Sequence, residues 1–362
     1  MKTEVFTIDL GMFTDEDKEK LENDINIKKS ISRIVKKSRN MAKKPRCYYC
    51  GEPIDGFCNS HSIPLFCLKN IALNGEVKTL NSLINNPILE SEVGVKKAGT
   101  FQMICRTCDN KIFSDYETPE NYNVKPTQRM ITQIALKNYL KAIYKREVEL
   151  NLAEATWDVI GQSNVFMEIK EGVNELDLKE YKSGFDKAKN ALTKNRIDTY
   201  YLCYYKKLDY TVPIAFQSSV ALVFDLEGNL INDIYCPKRD YEIKNIHICI
   251  FPLEDSSCIM MFTEGGDKRY RKFYKQFNRL SLDDQLATLT FIMFAYSEEI
   301  YYSPTIQTLL TEENGLFDIA RTTSDILATT LDFNALEVLK DKINLDKRCA
   351  IPNLLSEAYK LR

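Results

Sequence analysis

The chain has 362 residues, of which 44% are hydrophobic and 28% charged, a composition that excludes a wholly disordered or collagen-like polymer and allows two or three domains around a sizeable core. Its formal net charge is -2, so no overall charge excess recruits a polyanion and any such contact has to be local. The longest apolar run, Leu286 to Tyr296, is shorter than the about 20 residues of a membrane-spanning helix. Met1-Lys2-Thr3-Glu4 is too polar to open a secretion signal; a cytoplasmic protein without a membrane partner is therefore expected.

Thr14 with Asp17 three residues on marks a short acidic helix over Asp15 to Glu22. A second helix is predicted over Asn26 to Met41, with Ile27, Ile31, Ile34 and Val35 at helical spacing. From Ile25 to Arg46 the chain carries Lys28, Lys29, Arg33, Lys36, Lys37, Arg39, Lys43, Lys44 and Arg46 without one acid, a local +9 that leaves -11 for the remainder by subtraction from -2. A helix packed by one stripe and basic on the other is suited to phosphates. The first eight of these residues are accordingly candidate nucleic-acid ligands, a merely solvated basic face being the alternative.

Two pairs of cysteines follow, Cys47-Tyr48-Tyr49-Cys50 and Cys105-Arg106-Thr107-Cys108. Four thiolates at this spacing are what a closed tetrahedral Zn²⁺ site requires. Six of the 11 cysteines lie in the first 108 residues and an odd total cannot pair completely, which in a cytosolic protein favours metal binding over a disulfide framework. Cys58 and Cys67 are surplus to the four and read as small buried hydrophobes. Between the pairs, the turn Gly51 to Gly56 links two short predicted strands, with His61 near the end of the second in Ser60-His61-Ser62-Ile63-Pro64. Leu65 to Gly99 is an insertion with loop signals at Asn85-Asn86-Pro87, a candidate for a substrate-facing lip.

The order of these parts (a cysteine pair, a His followed by Pro, a second pair opening a short polar helix that runs on to Phe113-Ser114-Asp115-Tyr116-Glu117) resembles the zinc-ribbon-bearing HNH endonucleases. The resemblance covers about the first third of the chain. It implies a ββα-metal finger of treble-clef type that cleaves nucleic acid, DNA ahead of RNA. On it, His61 is the general base that deprotonates the attacking water, and Asp109 takes the place of the last metal ligand. Two positions depart from the family pattern: Ser60 stands where an acidic ligand is common and Thr100 where the middle Asn falls. A one-metal nuclease needs oxygen or imidazole ligands for Mg²⁺ or Mn²⁺, a base near the water and a cation near the leaving oxygen. Asp109 and Glu117 are the candidate carboxylates, but eight residues on one helix would separate them by about two turns. Glu117 can join Asp109 only if the helix bends or ends before it.

Thr127 to Leu152 is predicted as a long amphipathic helix with Ile131, Ile134, Ala135, Tyr139, Leu140 and Ile143 on its stripe and Pro126 at its entrance. Glu154 to Asn190 continues helical with breaks near Gly161 and Gly184, and Trp157 reads as a core anchor. From Arg196 the pattern becomes β-branched and aromatic, giving five mostly antiparallel strands at 200–205, 212–224, 230–235, 245–251 and 258–262. His247 alternates with Ile246, Ile248 and Ile250, so it faces away from them and reads as a strand histidine without catalytic duty. Tyr270, Phe273, Tyr274 and Phe277 lie at helical spacing in a basic aromatic helix and read as core. Ser281 caps the next helix, apolar nearly all round, and Thr305 to Leu345 gives one or two more.

The expected fold class is α+β: residues 1–125 form a basic helix and a zinc-stabilised HNH-like finger, 126–195 a helical connector, and 196–362 a mostly antiparallel sheet with helices that senses a signal, binds a protein partner or self-associates. Two functions remain open. One is a metal-dependent nuclease, for which family analogy implies a setting in bacterial anti-phage defence. The other is a non-catalytic zinc-finger module that docks nucleic acid or protein, with His61 structural.

Overall fold

The computed structural model describes residues 25–54, 56–80, 91–160, 165–196, 198–236, 238, 240–310, 315–320 and 335–362. The acidic helix at Asp15 to Glu22 and the loop at Asn85-Asn86-Pro87 lie outside them, as does part of Thr305 to Leu345. The chain is mixed α+β around one large antiparallel sheet.

The basic segment forms helix α1 (Ile25–Met41). A two-residue pair, β1 (Ser60–His61) with β4 (Thr100–Phe101), is antiparallel and puts His61 opposite Thr100. The insertion between them has secondary structure of its own. It folds as α2 (Leu65–Ile71), β2 (Glu76–Thr79) and β3 (Glu92–Gly94). Then come α3 (Arg106–Phe113), the 23-residue α4 (Gln128–Leu150), α5 (Leu152–Ile160) and α6 (Val165–Thr193). Strands β5 (Tyr200–Leu208), β6 (Ile214–Val220), β7 (Ile246–Pro252) and β8 (Ser257–Glu264) precede α7 (Arg271–Phe277), α8 (Leu282–Tyr296), β9 (Ile300–Tyr302) and α9 (Ala335–Lys342).

The seven-stranded sheet runs β3-β2-β9-β6-β7-β8-β5. Its ladder thus takes β2 and β3 from the cysteine-rich third and pairs Lys78 and Thr79 with Tyr302 and Tyr301. The sheet crosses the expected boundaries at 125 and 195. The segment 230–235, expected as a strand, is not one: it makes the isolated bridge Phe224 to Leu230, and Ile231 donates to the Val223 carbonyl at 2.7 Å. β9 takes the vacant place beside β6.

Strand alternation divides the core in two. Ile246, Ile248, Ile250, Ile259 and Met261 pack with α7 and α8 on one face. Cys249, Phe251, Cys258, Met260 and Phe262 pack on the other with residues of the cysteine-rich third, α4 and α6. His247 faces away from the isoleucines as its alternation predicts, and that second face is itself covered, leaving the ring 1% exposed.

Helix α4 runs through this second layer. Thr127 caps it by accepting from the Met130 amide, and every residue from Met130 to Leu140 is buried. A single apolar stripe therefore does not describe it, because the sheet, the cysteine-rich segment and α6 enclose it on several sides. Its polar residues survive burial by finding partners. Gln133 accepts from the Tyr116 amide at 3.1 Å and donates to Asp115 at 2.8 Å. Gly184 does not break α6 but lets it close on α4: a Cβ there would lie 2.4 Å from the Tyr139 ring. Trp157, expected in the core, is 55% exposed on α5. The basic aromatic helix α7 buries Phe273 and Phe277 as expected, and Ser281 caps α8 through the Asp284 amide.

Candidate functional site

The segment around the first cysteine pair is a tight turn. Gly51 donates to the Cys47 carbonyl at 2.8 Å with φ at 77°, in the left-handed region that favours glycine. Cys47 and Tyr48 are tied in turn to Glu52 and Met103 by main-chain bonds of 2.9 Å each. The second pair starts a helix: Cys105 is the N-cap of α3, its Sγ accepting from the Cys108 amide at 3.5 Å. The Cys105 amide meanwhile donates to Cys47 Sγ at 3.3 Å. The four Sγ atoms of Cys47, Cys50, Cys105 and Cys108 all lie within 4.8 Å of one another. A tetrahedral ion with bonds of about 2.3 Å to sulfur needs sulfurs about 3.8 Å apart, so the set fits a structural metal.

The thiols of Cys47 and Cys108 are shifted in opposite directions. Burial pushes the Cys47 thiol up, but amides of Cys50, Cys105 and Tyr49 outweigh it and bring it down to about 7. Burial and the crowding thiols push Cys108 well up. A cation at the centre would relieve that crowding. The unit is anchored from behind by α6, where Phe185 meets the Tyr48 ring edge-on at 5.0 Å and Lys189 donates to the Tyr49 carbonyl at 2.5 Å.

Of the residues named from the resemblance, Asp109 and Glu117 come together beside this cluster. Helix α3 ends at Phe113, and the chain turns so that Glu117 comes back towards Asp109. Continued helix would hold them about 12 Å apart; instead both reach one atom, Nζ of Lys137, at 2.9 Å from Asp109 Oδ1 and 3.1 Å from Glu117 Oε1. Ser60 Oγ donates to Asp109 Oδ1 at 2.5 Å and accepts from the same ammonium at 2.7 Å. Cys58 Sγ donates to Asp109 Oδ2 at 3.4 Å, and burial ahead of the Asp109 charge pushes its thiol to about 11. Cys67 is fully buried, as expected of a small hydrophobe. Thr100 donates to the Lys97 carbonyl at 3.0 Å.

His61 is half-buried. Its Nε2 must donate to the Val95 carbonyl, 3.1 Å away, which leaves Nδ1 as the basic nitrogen of a neutral ring. Burial is the main reason its pKa lies below the ordinary value; the Lys137 ammonium works in the same direction, while the Val95 bond and Asp109 oppose it. Burial also raises both carboxylates. At Asp109 the Lys137 charge and the Ser60 bond prevail and its pKa is lowered, whereas at Glu117 burial prevails.

The donor set does not fit the expected Mg²⁺ or Mn²⁺ at this point. Such an ion takes oxygens at about 2.1 Å in octahedral array, and here Asp109 Oδ1, Glu117 Oε1 and Ser60 Oγ already surround an ammonium. Lys137 is the residue that sequence reasoning missed. Its signal is a lysine three residues from both Ile134 and Leu140, on the stripe that α4 buries.

Of the candidate phosphate ligands, Lys29, Arg33, Lys36, Arg39 and Lys43 are exposed on α1 and the residues just after it, and Arg33 and Lys36 line an open concavity with Lys37, Asn40 and Met41. Lys37 is paired with Asp158 of α5, and Lys44 with Glu147 of α4 at 2.6 Å. The Lys28 side chain lies outside the described residues. Buried Ile34, Ser38 and Ala42 form the packed stripe, with the Ser38 hydroxyl donating to the Val148 carbonyl.

Among the described residues no helix is long and apolar enough to cross a membrane. Comparison with family models, with curated proteins and with solved structures finds no match to this chain.

Proposed function

We propose that this chain is a nuclease: a Zn²⁺-folded, HNH-like finger that hydrolyses phosphodiester bonds, duplex DNA ahead of RNA, beside a helix that grips the phosphates. The observation that carries the reading is a short antiparallel pair bearing His61, followed by a helix that starts in a four-cysteine cluster and bears Asp109, the two elements tied by the bond from Ser60 to Asp109. Zinc is the ion that four thiolates in closed tetrahedral array suit best. His61 Nδ1 accepts a proton from the attacking water as its oxygen bonds to phosphorus; the ester P–O bond breaks and the departing oxygen takes a proton from solvent. A ring with a lowered pKa is in its basic form at neutral pH, and the acid limb of cleavage falls below the ordinary histidine range. The exposed bases of α1 supply a sequence-independent hold on the strand.

The test is incubation of zinc-loaded full chain with plasmid, single-stranded DNA and RNA, alongside His61→Ala. Cleavage lost in a His61→Ala protein that keeps its zinc and its fold is the expected result. No product from any substrate, or the same product from both proteins, overturns it. One observation favours the second reading, a docking module without catalysis: Lys137 is fully buried, so the ammonium that ties the two carboxylates together works as internal structure. On that reading nucleic acid is bound and left intact.

A further inference from the structure

The ammonium of Lys137 has three N–H bonds, and three oxygens surround it: Ser60 Oγ at 2.7 Å, Asp109 Oδ1 at 2.9 Å and Glu117 Oε1 at 3.1 Å. The ammonium also lies over the Phe113 ring, 3.7 Å from the centroid. The side chain has no exposed surface. All three donors are satisfied, two carboxylates share one positive charge, and the oxygens come from β1, from α3 and from the turn after it. Asp109 and Glu117 are the carboxylates expected to hold a divalent ion, and the chain's own ammonium lies between them. A dication brought to the same oxygens would have to occupy the nitrogen's position or sit against its charge.

We propose that Lys137 is the resident cation of this finger: its ammonium holds the point between Asp109 and Glu117, and the carboxylate pair binds no divalent ion while Lys137 is in place. The proposal concerns the finger of the nuclease reading and rests on that reading only for the expectation of an ion at Asp109. It also explains the serine at position 60. A third carboxylate there would bring a third negative charge against one ammonium, whereas a hydroxyl accepts from Lys137 and donates to Asp109 without adding charge.

The experiment is titration of the zinc-loaded full chain with Mn²⁺, read by the loss of the free-ion electron paramagnetic resonance signal, with no nucleic acid present. Wild-type protein and Asp109→Asn are expected to leave the signal equally undiminished at millimolar Mn²⁺. Lys137→Ala opens the position and is expected to bind one Mn²⁺ per chain at least tenfold more tightly than wild type, a gain lost in Lys137→Ala with Asp109→Asn. Mn²⁺ bound by wild type and released by Asp109→Asn overturns the proposal, as does a folded, zinc-loaded Lys137→Ala protein that gains no ion. If Lys137→Ala does not fold, the wild-type and Asp109→Asn titrations decide alone. A chain that cleaves nothing leaves this result standing, and a cleaving chain that binds Mn²⁺ at Asp109 overturns this inference without touching the nuclease reading.

Discussion

Asn138 and His247, 109 residues apart, hold each other across the covered face of the sheet: Asn138 Nδ2 donates to His247 Nδ1 at 3.0 Å. Gln217 donates to Asn138 Oδ1 at 2.9 Å, so the amide is fixed in the orientation that makes the imidazole an acceptor. The ring stacks on Phe262 at 4.6 Å and meets Tyr139 and Tyr200 edge-on. Next to Asn138 on α4, Lys137 binds Asp109 and Glu117. One turn of helix thus grips the cysteine-rich third and the sheet.

This pair makes stability depend on pH. Burial lowers the His247 pKa from 6.5 to about 3, so the folded ring stays neutral while the unfolded chain takes up a proton below its ordinary value. The stabilisation is present in full above pH 6.5 and is lost as pH falls towards 3, at up to about 1.4 kcal/mol per pH unit. Replacing His247 by Gln should flatten the profile in that window, measured by urea unfolding at successive pH values. An unchanged slope would count against a neutral buried ring.

The four-sulfur cluster separates expected ligands from bystander cysteines. Purified protein should contain one zinc per chain by elemental analysis, and Cys105→Ser should lose it with a fall in stability of several kcal/mol, since structural zinc contributes folding energy directly. Cys58→Ser should keep the zinc, because its sulfur faces Asp109. Zinc lost in Cys58→Ser and kept in Cys105→Ser would reverse the assignment.

The basic face divides in the same way. Arg33 and Lys36 are exposed, whereas Lys44 is paired with Glu147. Replacing Arg33 and Lys36 by Ala should weaken binding to duplex DNA and make the slope of log K against log salt shallower by up to about 2. Lys44→Ala should lower the melting temperature slightly and leave the slope alone. Equal slopes in all three proteins would remove α1 from the interface.

Packing in the helical layer gives a sharper contrast. Gly184→Ala would drive a methyl group into the Tyr139 ring, where the added carbon would lie 2.4 Å away; the overpacking should cost about 1–3 kcal/mol. Trp157→Ala, at a side chain 55% exposed, should change stability by no more than about 0.5 kcal/mol. Thermal unfolding of the two variants checks both, and a larger loss for Trp157→Ala would contradict the packing described.

What could be known without coordinates was local. Cysteine spacing identifies the four sulfurs because a pair two residues apart brackets one tight turn or one helix start. Residue alternation puts His247 opposite its isoleucines because the strand period is two. Period 3.6 and a capping serine mark α8 for the same kind of reason. What only the tertiary structure decided was who stands next to whom across long stretches of chain. No pattern at residues 76–79 and 92–94 announces that they join a sheet whose other strands begin at Tyr200, since strand pairing is chosen by the whole core. Trp157 faces solvent because the layer beside it is filled by α1 and α4. And Lys137, an ordinary residue by type, becomes the centre of the site because burial compels an ammonium to find charge, and Asp109 and Glu117 are where it finds it.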